Sequence, residues 1–475
     1  MEKWHAGSKS ILYRVAEILQ FLHFILSPSR RRTVGKQTSQ MADILNPVGV
    51  TTRVDSESQL VLDVQVMFTM AESPLTTSTE CCIYKIPANI RKVNEEAYTP
   101  KVISIGPFHF GNERFQYMER FKLRYFRSFI ERANQIDLKS WVAYIKELEP
   151  RVRTCYTNIL ELDRDQLVKV ILVDATFILE LFWRCHFGDC WTDEDSVLLK
   201  PWLLTAIRID LLLLENQLPF FVLEKIFERA FVSNQNSDFP SLLKFTFGYF
   251  AYYNKIGLDP IANGGMEIKH FTDLLRKFHL LQMDKLPDRA DRVKEIHQHT
   301  VTGLVGAGLK CKVASSICLL DLKFSNKVLE IPQFEVDNNT ETLFRNLLAL
   351  EQCHYPYQSY IIDYIGMMDF LINTAQDVEI LVRKGIMVNW LGDDDAAANL
   401  FNNLLENITQ VNYNENYLRL CDELNAFCNS PINKGIATLK RDYCNTTWKI
   451  LASVAAIFLL LLTVLQTIFS GISAI

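Results

Sequence analysis

The sequence predicts a mainly α-helical protein, with a multi-helix globular domain, a small β element and one C-terminal transmembrane helix. Three observations lead to this prediction. Apolar residues recur with helical spacing along most of the chain after residue 80, a stretch within 312–336 alternates like a strand, and the last residues form a run without charge. Of the 475 residues, 49% are hydrophobic and 22% are charged, which is typical of a globular protein.

The charge balance argues against one class of partner. The net charge is only −5, so the chain lacks the basic field that proteins use to hold nucleic acid. We therefore expect no nucleic-acid partner.

Residues 1–79 are predicted to form a variable N-terminal extension, made of an amphipathic helix and a linker. The helix is indicated by one apolar stripe along residues 11–26. Arg14 and Glu17 interrupt that stretch, and a basic cluster follows it, which does not fit a signal peptide. Three interpretations stay open: a helix packed on the domain or on a partner, a helix on a membrane surface, or an organellar presequence.

Residues 80–449 are predicted to form an α-rich soluble domain. Helical segments are expected within 118–133, 141–187 with a break near Pro150, 271–283, 340–353, 361–374 and 393–408. The last segment opens with three consecutive aspartates, which favour a helix N-terminus. The small β element is expected near 312–336, where "SNK" resembles a short hairpin turn.

One apolar stretch carries a polar triplet at its centre. Residues 210–227 read "DLLLLENQLPFFVLEKIF", with Glu215, Asn216 and Gln217 between the leucines and phenylalanines. We expect a helix from near Pro201 to around Asn216 and a second helix opening at Pro219. The junction exposes backbone groups without helical partners, and the three polar side chains can supply those partners. The triplet is therefore interpreted as a structural hinge.

Catalytic and metal-binding alternatives are weaker at each candidate position. Glu215 has no histidine near it in the sequence, and His109, which follows a Gly-Pro turn, is predicted to be a buried structural histidine. The pattern "CHFGDC" holds Cys185, His186 and Cys190, too few ligands for a zinc site, so a packed helix end is expected.

Two further patterns receive structural interpretations. "HQH" is interpreted as solvated surface, with His297 and His299 exposed. "GLVGAGLK" (303–310) lacks the spacing of a phosphate-binding loop and is predicted to be a helix with small residues. We therefore assign no catalytic, cofactor-binding or metal-binding residue.

Eleven cysteines are scattered along the chain, an odd number without the density of a secreted disulfide framework. Several lie inside apolar runs, as do Cys155, Cys318 and Cys421. This usage indicates small buried thiols in a reducing compartment.

The C-terminal run, residues 450–475, contains no charge. About 20 apolar residues suffice to cross a bilayer, so residues 450–470 are predicted to be a transmembrane helix in contact with lipid. Basic residues precede the run and none follows it: Lys434, Lys440, Arg441 and Lys449. The positive-inside tendency then predicts a single-pass C-terminal anchor with the large domain in the cytoplasm.

Three glycosylation sequons are relevant to the opposite topology, in which the large domain is translocated out of the cytoplasm. They lie at Asn338, Asn407 and Asn445. They have a use only if the domain is translocated, where it would contact extracellular partners. That arrangement stays open as an alternative.

The chain resembles a plant family known as domain of unknown function 247. The resemblance rests on "IYKIPANIRKVNEEAYTPKVISIGPFHFG" (83–111), "MERFKLRYF" (118–126), "FILELF" (177–182), "DLLLLENQLPFFVL" (210–223), "IPQFEVDNNTETLFRNLLALEQC" (331–353) and "DVEILVRKGIMVN" (377–389), with the closing span. The resemblance implies a membrane-associated plant protein without assigned biochemistry. Some grass members look like pollen-side determinants of self-incompatibility, which implies a recognition or signalling role.

From these observations we expect a membrane-tethered protein that interacts with protein partners and is not an enzyme. The alternative is a membrane-bound enzyme of an unrecognised class, with Glu215 or His109 at its site.

Overall fold

The structure is a computed structural model. It describes residues 60–61, 64–65, 79–133, 136–157, 160–188, 190–192, 195–196, 198, 200–231, 240–260, 266–280, 286–290, 299–435, 438 and 447–473. The chain divides into two units, residues 1–76 and residues 77–475. In the first unit the few described residues are helical and exposed, and the helix predicted over 11–26 lies outside the described part. The second unit holds every feature considered below.

The prediction of a mainly α-helical fold with few strands is confirmed. The described α-helices are α1 (Ala88–Arg91), α2 (Gln116–Arg132), α3 (Leu138–Thr154), α4 (Arg164–Phe187), α5 (Pro201–Asp210), α6 (Phe220–Phe231), α7 (Leu242–Tyr249), α8 (Phe271–Lys277), α9 (Val301–Gly306), α10 (Thr340–His354), α11 (Tyr360–Leu371), α12 (Ala375–Arg383), α13 (Asp394–Leu404), α14 (Glu415–Asn429) and α15 (Thr447–Ser473). The strands are β1 (Lys310–Val313), β2 (Lys323–Ser325), β3 (Val328–Ile331), β4 (Phe334–Val336) and β5 (Met387–Asn389).

Helix α4 is the central helix of the domain. It begins at a capping box, in which Asp163 and Gln166 exchange side-chain and backbone hydrogen bonds, and it ends at Gly188 with a φ of 62°. Its apolar residues surround the helix instead of forming one stripe, which is the pattern of a helix buried on all sides. Helices α2, α3, α6 and α7 pack around it.

Helix α3 differs from the sequence prediction, because Pro150 does not break it. The helix continues through Pro150 to Thr154. A proline inside a helix removes the hydrogen bond to the carbonyl four residues earlier, which here is that of Lys146. Nη2 of Arg164 donates to this carbonyl at 2.9 Å. The freed acceptor is thus satisfied by a tertiary contact, which sequence periodicity does not reveal.

The β element contains the predicted hairpin. Strands β2 and β3 pair antiparallel, with Ser325 opposite Val328. Asn326 and Lys327 connect them with φ values of 50° and 63°, as a two-residue type I′ turn requires. The parallel pairings of β1 with β3 and of β4 with β5 were not predicted.

The described cysteines are free thiols, and Cys444 lies outside the described residues. Cys155, Cys318 and Cys421 are buried, so the interpretation of these three as small buried side chains is confirmed.

The terminal helix α15 contains an apolar span from Lys449 to Ser470 with a mean hydropathy of 2.4. Its length and composition suffice to cross a membrane. None of its most apolar window is buried against the protein, and the large side chains are exposed by up to 66%, the value at Leu460. A core helix would bury these side chains, so the described part of the protein leaves the apolar surface of α15 without cover.

Candidate functional site

The polar triplet lies in a buried loop between α5 and α6, and the predicted helix boundaries need correction there. Helix α5 ends at Asp210, six residues before the predicted end at Asn216. Continuation would require the Leu214 N–H to bond the Asp210 carbonyl. Instead, the Leu214 N–H donates to Oδ1 of Asn346 at 2.9 Å, and Nδ2 of Asn216 donates to the Asp210 carbonyl at 2.9 Å. Helix α6 begins at Phe220, directly after Pro219.

The two amides of the triplet satisfy the backbone of this loop, as predicted. Nε2 of Gln217 donates to the carbonyls of Leu211 and Leu213, each at 2.7 Å. Its Oε1 accepts the N–H of Phe271 at 2.9 Å. Asn216 also satisfies a backbone group outside the loop, because its Oδ1 accepts the N–H of Ile105 in the neighbouring segment at 2.7 Å. Both amides are at most 1% exposed, so these partners replace water.

Residues 101–106 run beside this loop and are held by two buried aspartates. The carboxylate of Asp210 accepts the N–H groups of three consecutive residues: Lys101, Val102 and Ile103. Oδ2 of Asp174 accepts the N–H of Gly106 at 2.8 Å, and its Oδ1 lies 2.6 Å from Nζ of Lys122. Burial raises the pKa of Asp174 to about 6, against the opposing effect of Lys122.

Gly106 is required at this point of the chain. Its φ is 74°, and a Cβ built there would lie 2.4 Å from the carbonyl oxygen of Gln217. Such close backbone approach is possible only without a side chain. The Gly-Pro turn predicted from the sequence therefore places residues 101–106 in contact with the polar triplet.

Glu215 contacts two cationic groups that are far away in the sequence. Its side chain is 2% exposed, and Oε1 accepts the N–H of Ile86 at 2.6 Å. Oε2 forms an ion pair with Arg91 and lies 3.4 Å from Nε2 of His109, whose side chain is 14% exposed. The structure thus joins the two residues of the enzyme alternative, although no histidine is near Glu215 in the sequence. Among the described residues, Nε2 of His109 has no hydrogen-bond partner.

This arrangement is poorly suited to acid–base catalysis by Glu215. Burial by itself would raise the pKa of the carboxyl, but the adjoining His109 and Arg91 and the Ile86 N–H hold it below its usual value. A general base works best with a pKa near the operating pH and with access to substrate. Both oxygens of Glu215 are occupied by protein groups, so the geometry supports a structural anchor.

The other sequence candidates occupy separate places. Cys185 and His186 lie in the last turn of α4, where both side chains are exposed, and Cys190 follows its Gly188 cap. The helix end is therefore less packed than expected, although the His186 ring contacts the rings of Phe187 and Phe245. His299 is half-buried, and His297 lies outside the described residues. Within the described part of the chain, no group of three or more His, Cys, Asp or Glu side chains is placed to hold a metal ion.

A cavity of about 650 Å³ lies away from this polar cluster, and its lining does not include Glu215 or His109. Its walls come from α5, the residues after α7, the end of α8, the loop after β1 and the start of α10. Sequence reasoning did not find this cavity, because its lining is spread over distant segments. The sequence does contain one indication of this cavity, because Arg208 is a single arginine within an apolar run.

These features define a mainly α-helical protein with, among its described residues, one helix that is long and apolar enough to cross a membrane. The model of the family described as plant protein of unknown function, domain of unknown function 247, matches residues 83–462, so the chain belongs to that family.

Two relatives from Arabidopsis thaliana share most of their length with this chain. One, a UPF0481 protein, is 28% identical over 82% of this chain and 85% of its own length. The other, a putative UPF0481 protein, is 23% identical over 81% of this chain and 89% of its own. No solved structure matches the chain.

Proposed function

We propose that this protein is anchored in a membrane by α15 and presents its α-rich domain to protein partners on the cytoplasmic side. The observation that carries the proposal is the uncovered apolar surface of the span Lys449–Ser470. At about 25 cal/mol per Å² of apolar surface, water exposure of such a helix is strongly unfavourable, and lipid removes that cost.

The cytoplasmic orientation rests on the flanking charges. Lys434, Lys440, Arg441 and Lys449 precede the span, and the residues after it carry no basic side chain. Basic flanks are retained in the cytoplasm, which favours an outward C-terminus and a cytosolic domain.

Binding, as opposed to catalysis, is supported by what the polar residues do and what the surface offers. The Glu215 carboxylate is occupied by structural contacts. Three large aromatic side chains are largely exposed: Trp202 by 65%, Tyr357 by 73% and Trp390 by 67%. Tryptophan and tyrosine are the residues that protein interfaces use most as anchors. Some grass members of the family look like self-incompatibility determinants, and on that basis we propose recognition or signalling as the biological role.

Membrane insertion can be tested by extraction. In vesicles washed with alkaline carbonate, the full-length protein should stay in the pellet, since a spanning helix is held by the hydrophobic effect and not by charge. A matched chain without residues 449–475 should be released into the supernatant. Release of the full-length protein would contradict the anchor.

Orientation and partners can be tested together by proximity labelling from an enzyme fused to the N-terminus. We expect cytosolic proteins to be labelled and the mass to be insensitive to glycosidase, because cytosolic sequons are not used. A variant with Trp202, Tyr357 and Trp390 replaced by serine should label the same compartment but lose specific neighbours. A glycosidase-sensitive mass shift would show a translocated domain, and identical neighbours for both chains would contradict an interface at these aromatics.

A further inference from the structure

The cavity near α5 has the size and composition of a ligand site. Its volume of about 650 Å³ falls in the range of roughly 300–1,000 Å³ typical of small-molecule pockets. Its apolar lining includes side chains that are almost fully buried: Phe278 (2% exposed), Phe334 (6%), Leu347 (0%), Tyr364 (2%) and Phe401 (1%). These side chains form the wall behind the cavity, and the apolar surface that a ligand can reach comes from the exposed lining residues.

Access from solvent is provided by side chains that are both exposed and part of the lining. Tyr252 is 54% exposed, Val313 42% and Ile317 65%. The cavity is therefore open at this side, where a ligand can enter without disturbing the core.

The wall of the cavity contains a positively charged side chain, that of Arg208. Its guanidinium stacks on the ring of Tyr249 at 4.9 Å, and its buried Nε atom has no hydrogen-bond partner among the residues that the structure describes. No ion pair joins it to a carboxylate of the described residues.

A second cation lines the same cavity. Lys255 is exposed, and its Nζ lies 4.3 Å from the centre of the Tyr252 ring. Like Arg208, it makes no ion pair with a carboxylate in the described part of the chain. Both cations are thus available to an anion in the cavity.

Two acidic groups of the lining, Glu335 and Asp337, balance the two cations in net charge, so an anion must be recognised by direct contact with Arg208 and Lys255 and not by the overall charge of the cavity. Glu335 accepts the hydroxyl of Tyr252 at 3.4 Å. Oδ1 of Asp337 accepts the N–H of Asn339 and the hydroxyl of Thr340, both at 2.9 Å.

His279 adds a neutral acceptor. Burial lowers its pKa, and Nδ1 lies 2.8 Å from the Leu275 carbonyl, which can only accept, so the proton is on Nδ1. The histidine therefore brings no charge of its own into the cavity.

We propose that this cavity binds a small aromatic carboxylate, with the ring against Tyr252 and Ile317 and the carboxylate on Arg208 and Lys255. A planar guanidinium recognises a carboxylate through two parallel hydrogen bonds, while the lysine adds a point charge. This inference is independent of the membrane anchor.

The test uses the full-length protein in nanodiscs, with empty nanodiscs as the blank. The probe is 2-naphthoate, and its uncharged counterpart is naphthalene-2-methanol, measured by isothermal titration calorimetry. We expect 2-naphthoate to bind and the alcohol to bind at least about tenfold more weakly, because only the carboxylate engages the two cations. Equal affinities, or no binding of 2-naphthoate, would overturn the proposal.

Variants locate the binding. Arg208→Gln should weaken 2-naphthoate by about tenfold, and Lys255→Gln, at an exposed position where the side chain contacts the Tyr252 ring, by about threefold. Ser315→Trp, at an exposed lining residue, should fill the cavity and abolish binding.

The matched control is Lys139→Gln, at an exposed lysine outside the lining, which should bind as the wild type does. If Arg208→Gln fails to fold, Lys255→Gln and Ser315→Trp decide, and unchanged affinity in both would refute the site.

Discussion

Replacing Glu215 by alanine should lower the free energy of unfolding by about 3 kcal/mol, the cost of breaking a buried ion pair. The substitution leaves Arg91, whose side chain is only 20% exposed, without its buried partner, and leaves the Ile86 N–H without an acceptor. Glu215→Gln should cost less, since its amide oxygen can still accept the Ile86 N–H. Urea unfolding of the solubilised full-length protein, followed by far-UV circular dichroism, measures both effects.

The chain offers a matched control at the same arginine. Glu95 lies 4.0 Å from Arg91, but its side chain is 78% exposed. An exposed pair of this kind contributes little, so Glu95→Ala should change the stability by less than about 0.5 kcal/mol. A Glu215→Ala protein as stable as the wild type would remove the structural role. It would then favour the enzyme alternative, in which Glu215 and His109 act together.

The local part of the fold follows from the sequence because its signals are local. Helix α13 is an example: Asp393 caps it by accepting the N–H of Asp395, as the three aspartates predict. The hairpin of β2 and β3 was predicted for the same reason, since its turn residues are adjacent in the chain. The amides of Asn216 and Gln217 were also predicted to satisfy backbone groups, because an apolar run leaves few other partners.

What the sequence does not predict depends on residues that are far apart in the chain. The carbonyl freed by Pro150 is satisfied by Arg164, so the helix continues where a break was expected. Helix α5 ends early, and the Leu214 N–H donates to Asn346 and not to a helical carbonyl. The approach of His109 to Glu215 and the cavity around Arg208 are likewise tertiary features, which periodicity and spacing cannot encode.

Replacing Lys122 by methionine should produce a second large loss, about 3–5 kcal/mol near pH 7.5. Lys122 is 1% exposed, and its Nζ contacts Asp174 at 2.6 Å and the Ser104 carbonyl at 2.8 Å. Without it, Asp174 stays buried at 1% exposure with no counter-charge from another described residue. The matched control is Lys139→Met at an exposed lysine, which should change the stability by less than about 0.5 kcal/mol.

The pH dependence separates lost charge compensation from lost packing. The folded pKa of Asp174 is raised by burial to about 6 from 3.8, so its protonated form stabilises the fold at low pH and that contribution is lost as the pH rises through about 6. Removing Lys122 takes away the group that opposes this rise, and the folded pKa should increase further. Ionisation of Asp174 then costs more in the variant, so the stability gap to the wild type should widen from about pH 5 to about pH 8. If the difference in stability between the wild type and Lys122→Met is the same at pH 5 and pH 8, the lost stability comes only from packing and from the lost contact with the Ser104 carbonyl.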